Sequence, residues 1–97
     1  MTAEGIKTEV VQLVSELFSN KGYDTDIIEY VDLIDDLGMD SITFISIVVE
    51  IEAKFSIIVP DNMLLMENFR KIEDIVNVIE QERTKQLIET ENRYVET

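Results

Sequence analysis

The sequence contains no cysteine, no histidine and no tryptophan, a single proline and three glycines. Without cysteine there is no disulfide framework. Without cysteine or histidine there is no zinc site of the usual kind, and no serine can be activated by an internal imidazole. Basic residues are also scarce. Lys and Arg number 8 against 21 Asp and Glu, a formal charge of -13. Such a chain repels phosphate backbones, so no nucleic-acid partner is expected. No run of about 18 apolar residues is present, so no transmembrane helix and no membrane partner are expected. The opening Met1-Thr2-Ala3-Glu4-Gly5 has neither a basic n-region nor an apolar h-region, so no signal peptide is expected. The absence of cysteine fits a reducing cytoplasm.

What remains is ordinary globular material. Hydrophobic residues make up 45% of 97 residues, enough for one small core and one domain. Ile6, Val10, Leu13, Val14, Leu17 and Phe18 fall on one face of a helix over about 3–18, with Ser19-Asn20-Lys21-Gly22 as its stop. The stretch 23–40 carries seven acidic residues and no basic one. Its apolar residues, Ile27 to Leu37, suggest a long pinned loop with a short helical turn near 26–31. Gly38-Met39-Asp40-Ser41 reads as a turn into a second helix over 41–55, with Asp40 as its cap. Pro60-Asp61 opens a short helix near 62–67, with Asp61 as cap. A last helix carries Ile72, Ile75, Val76 and Ile79 on one face and runs past Glu82 towards Leu87. A polar, frayed tail is expected over 87–97. The alternation in Ser56-Ile57-Ile58-Val59 has no partner strand. The expected fold is all-α: a small bundle of three main helices and one short helix, with a long loop between helices 1 and 2.

The second helix has two apolar stripes. Phe44, Ile47, Val48, Ile51 and Phe55 read as core. Ile42, Ile45 and Val49 form a separate stripe. Ile45 is open to two readings, packed under the 23–40 loop or exposed. Ile42 and Val49, beside Ser41, read as a partner surface. Ser41 itself is either a plain helix-start serine or a point where an anion can be held. Free first-turn N–H groups and the positive end of the helix dipole favour negative charge there.

Asp36-Leu37-Gly38-Met39-Asp40-Ser41-Ile42 resembles the D-L-G-x-D-S-L box of acyl and peptidyl carrier proteins. The stretch from Ile51 through Phe55 to Ile58-Val59-Pro60-Asp61, and the pattern Ile72-Glu73-Asp74-Ile75-Val76, resemble the same family. The resemblance covers about residues 3–83. It implies an acyl-carrier-like four-helix bundle with no catalysis of its own. It implies that Ser41 receives 4′-phosphopantetheine from coenzyme A through a Mg²⁺-dependent phosphopantetheinyl transferase. The arm's thiol would then hold an acyl or aminoacyl thioester. Gly38 would allow a close backbone approach, and Asp40 would cap the helix or lie at the transferase's metal-bearing site. Ile42, Ile45, Val49 and Asp36 would serve recognition. Phe44, Ile47 and Val48 would line a partial acyl shelter. Further partners would be acyl- or aminoacyl-loading ligases or transferases and ketosynthase or condensation-type enzymes.

In two places the chain departs from the fatty-acid carriers. The helix after Ser41 has Thr43, Ser46 and Val49 where acids are usual, leaving Glu50 and Glu52. The segment Met63 to Phe69 is similar to that of polyketide and nonribosomal-peptide carriers. Both features point to a specialised pathway rather than primary fatty acid synthesis. The opening Met1 and the polar tail suggest a freestanding, monomeric carrier. Three other readings are weaker. An enzyme using Asp35 and Asp36 lacks convergent geometry, because adjacent side chains point apart. A calcium loop beginning Asp24-Thr25-Asp26 has no third ligand at the next odd position and no glycine at its sixth. A plain interaction module predicts that Ser41→Ala is harmless.

Overall fold

The computed structural model describes the backbone of residues 3–18 and 25–96, with side chains over 4–18 and 27–85. The expected stop at Ser19–Gly22 lies outside the described residues, as do Asp24 and the Asp26 side chain of the weighed calcium loop. The elements are α1 (Ala3–Leu17), α2 (Thr25–Ile28), α3 (Ser41–Phe55) and α4 (Ile72–Glu96), with 3₁₀ turns at Asp61–Met63 and Met66–Phe69 between α3 and α4. No strand occurs among the described residues. The fold is a small all-helical bundle of three long helices and short turns, compatible with the carrier architecture. No helix among the described residues is long and apolar enough to cross a membrane.

One core joins these elements. Val10 and Val14 of α1 and Phe18 just beyond it meet Ile47 and Ile51 of α3, Phe69, and Ile72, Ile75 and Ile79 of α4. The spacing of those residues at three and four positions makes each helix bury one stripe. Burying an aliphatic or aromatic side chain of this size contributes about 1.5–3 kcal/mol. Much of that offsets the entropy of ordering the chain.

The described part of the segment before α3, residues 25–40, is more regular than a plain loop. Beyond α2, the Asp36 amide donates to the Asp32 carbonyl (2.8 Å) and the Gly38 amide to the Ile34 carbonyl (3.0 Å). Its apolar residues range from buried to exposed, with Val31 and Ile34 half-buried. Ile28, Leu33, Leu37 and Met39 are buried, whereas Tyr30 is exposed. The pinned loop is thus part of the core wall.

The region after α3 corrects two expectations. The helix stops at Phe55 because Ser56 turns left-handed (φ 55°, ψ 46°), its amide bonding the Glu52 carbonyl. Ile57 and Val59 then point inward and Ile58 outward, an extended run without a partner strand. The expected short helix near 62–67 is instead the two 3₁₀ turns, and Asp61 lies in the first of them rather than capping it. The preceding residue is Pro60, and no side chain closes that turn. At the far end, α4 runs on through Glu96 where a frayed tail was expected. Residues 80–92 are rich in Glu, Gln, Lys and Arg, which lose little rotamer freedom in a helix. Val78 joins Ile72, Ile75, Val76 and Ile79 in the core, widening the expected stripe.

Candidate functional site

Ser41 is the first residue of α3, and its side chain is exposed. Three local features put it there. Gly38 sits at φ 68°, a left-handed angle that costs a residue with a Cβ about 1–2 kcal/mol. That angle folds the chain back so that the Met39 amide donates to the Leu33 carbonyl at 2.9 Å. Met39 is buried, which anchors the turn from below. Asp40 is extended (φ -105°, ψ 179°), and its carboxylate accepts the Thr43 amide at 2.8 Å. The Asp40 carbonyl accepts the Phe44 amide, the first helical bond. The amides of Ser41 and Ile42 precede any possible intrahelical acceptor.

The two stripes of α3 part as their spacing implies. Phe44, Ile47, Val48, Ile51 and Phe55 are all buried. Phe44 meets Phe69 edge to face, with ring centroids 5.1 Å apart. Ile42, Ile45 and Val49 are 79%, 53% and 54% exposed. Ile45 therefore does not pack under the preceding loop. Thr43 and Ser46 are half-buried, and the Ser46 hydroxyl donates to the Ile42 carbonyl at 3.0 Å.

The acids around the site are mostly occupied. Asp36 is exposed, and its carboxylate accepts the Asp32 amide at 2.8 Å. Asp35 and Asp36 do not converge: Asp35 pairs with Arg70 at 3.0 Å. Asp32 also pairs with Arg70 (2.9 Å) while accepting the Ile34 and Asp35 amides. Burial opposes ionisation of Asp32. The Asp35 amide, the Arg70 guanidinium and the Ile34 amide outweigh it, so the carboxyl lies below its ordinary value. The hydrogen bond that Arg70 donates to Asp32 in turn holds its guanidinium above its ordinary value. Glu52, grouped above with the recognition acids, accepts the Val59 amide at 2.9 Å and so closes the end of α3. Among the described residues no group of three potential ligands is placed to hold a metal ion.

Sequence reasoning missed Arg70. The only hint was that it is the first basic residue after Lys54, following a chain half rich in acid. A groove of about 550 Å³ lies elsewhere, lined by Lys7, Glu29, Tyr30, Ile72 and Val76 among others. None of its lining residues belongs to α3.

Residues 9–79 match the family described as "phosphopantetheine attachment site". Over 48 residues the chain is 44% identical to the acyl carrier protein of Campylobacter lari (strain RM2100), an alignment covering 50% of this chain and 60% of that protein. With an exposed serine at a capped helix start and a family match across most of its length, the chain belongs to the phosphopantetheine-attachment family, carriers of a covalent 4′-phosphopantetheine rather than catalysts.

Proposed function

We propose that Ser41 is the attachment point and that the chain works as an acyl carrier in a specialised pathway of the polyketide or nonribosomal-peptide type. The observation that carries the attachment is the position of Ser41: exposed, first in α3, and directly after the Asp40 cap. The residues present fit a phosphodiester. The amides of Ser41 and Ile42 and the dipole's positive end, roughly half a charge, favour an anion there. In loading, the Ser41 oxygen displaces adenosine 3′,5′-bisphosphate from coenzyme A, and its proton passes to a base on the transferase. Once attached, the arm supplies the thiol on which cargo rides as a thioester, at a high local concentration for successive enzymes. Asp40 holds the helix start in place, and Gly38 lets the chain reach it.

The pathway reading rests on α3. Its outer face presents Ile42, Ile45 and Val49, and Glu52 is committed to Val59. Docking there therefore uses apolar contact, with Asp36 and its neighbours supplying long-range steering. The cargo enzymes would be a loading ligase or transferase and a ketosynthase or condensation-type enzyme. Phe44, Ile47 and Val48, now packed in the core, are the side chains beside which an acyl chain would shelter. The protein would act in the cytoplasm as one compact monomeric domain.

Intact mass after incubation with coenzyme A, Mg²⁺ and a broad-specificity transferase tests the attachment. The wild type gains one 4′-phosphopantetheine and Ser41→Ala gains none, with equal helicity. A mass gain on Ser41→Ala, or none on the wild type, refutes the assignment. Offering the loaded chain to malonyl-transfer enzymes of fatty acid synthesis and to aminoacyl ligases separates the pathways. Preferred acceptance by the former would favour primary fatty acid synthesis.

A further inference from the structure

The turn leading into Ser41 is crowded with acid: Asp32, Asp35, Asp36 and Asp40 fall within nine residues. Arg70 reaches two of them from a distant part of the chain, 38 residues from Asp32. One guanidinium nitrogen donates to Asp32 at 2.9 Å and to Asp35 at 3.0 Å. The Arg70 carbonyl also accepts the Leu33 amide at 2.7 Å. The Leu33 carbonyl in turn accepts the Met39 amide, and Met39 adjoins the Asp40 cap. Phe69, fully buried, rests its ring on Phe44 of α3. The pair Phe69-Arg70 thus grips both the turn that ends at Ser41 and the helix that begins there.

We propose that Arg70 is a positioning residue for the loading of Ser41, fixing the 32–40 turn against α3 and neutralising acid beside the approach of an anionic donor. The proposal rests on the attachment reading given above. Coenzyme A carries several negative phosphates. Without Arg70, Asp32 and Asp35 add two uncompensated charges within a Debye length of one another, about 8 Å in physiological salt. Both bonds leave one guanidinium nitrogen whose N–H directions are fixed by the planar group, whereas a lysine ammonium sits on a shorter, freely rotating stem and acts as a point charge. Arg70→Lys therefore keeps the neutralisation but holds the turn less well. Arg70→Gln loses both.

The experiment compares wild type, Arg70→Lys and Arg70→Gln in initial-rate loading with coenzyme A and Mg²⁺, well below the melting point of each. At saturating carrier, Arg70→Gln raises the KM for coenzyme A about fivefold while kcat changes by less than about twofold. Arg70→Lys recovers part of the loss, and added salt narrows the gap. A lowered melting point with an unchanged KM would reduce Arg70 to a structural tie and overturn the proposal. Amide hydrogen exchange on the unloaded chain provides a readout independent of the transferase. Arg70→Gln speeds exchange at Leu33, Met39 and Thr43 together. Acceleration confined to Leu33 overturns the coupling. Failure of the wild type itself to load would refute the Ser41 assignment instead, and the exchange data would still judge the strut.

Discussion

Replacing Asp40 separates two contributions of one carboxylate. Its oxygen accepts the Thr43 amide at 2.8 Å, and its charge stands at the positive end of a 15-residue helix. Asp40→Ala removes both. Losing such a cap costs about 1 kcal/mol, and a little more where the helix is as central as α3. For a chain of this size, about 1 kcal/mol lowers the melting temperature by about 4–8 °C. Asp40→Asn keeps an acceptor oxygen and gives up only the charge. The lost dipole interaction, about 0.3–1 kcal/mol, is offset by relief of repulsion in a chain of net charge -13. The Asn variant should therefore melt within about 2 °C of the wild type. Thermal circular dichroism in 0.15 M salt gives the order: wild type and Asn together, Ala below. If Asn and Ala fall equally, charge rather than the hydrogen bond holds the helix start. If Ala melts with the wild type, the cap contributes nothing and the account of how Ser41 is placed fails. With stability matched, slower loading of the Asn variant measures what the charge alone does at the transferase.

Two further predictions come from the frame around the site. Ser56 pays for a left-handed angle without being glycine, so Ser56→Gly should raise stability by about 0.5–1 kcal/mol, read as a higher midpoint in urea; a lower midpoint would mean its side chain has a contribution that outweighs the backbone. The Asp32 carboxyl is depressed, so its contribution is present above the unfolded value of about 4 and is lost as pH falls through the folded value below it. The melting-temperature gap between wild type and Arg70→Gln should thus be steady from neutral pH to about pH 5 and close below about pH 4; a gap that persists in strong acid would show that the Arg70 tie is not ionic.

Local chemistry made much of this protein readable. The limits of α3 follow from a cap at Asp40, a signal within one turn, and from apolar residues recurring at three and four positions from Phe44 to Phe55, over about three turns. Ser41 at the helix start follows from the same few residues, as does the split of α3 into a buried and an outer stripe. The left-handed end at Ser56 escaped because no glycine marks it. The 3₁₀ turns after Pro60 escaped because a short apolar run, with Met63, Leu64 and Met66 half-buried, fits several tight conformations equally.

Whether Ile45 would be covered, and what the acids of the long segment do, could not be read locally. Those outcomes depend on which surfaces meet after the chain has folded. The loop turns its Leu33, Leu37 and Met39 into the core instead of draping them over α3, so Ile45 stays outside. Asp32 and Asp35 find Arg70 at sequence separations of 38 and 35, and the Glu52 carboxylate accepts the Val59 amide around a bend. Periodicity and capping are properties of neighbours along the chain, so the sequence alone determined the helices and the serine at the mouth of α3. Pairing across such distances is settled by how the helices pack, and only the tertiary structure could decide it.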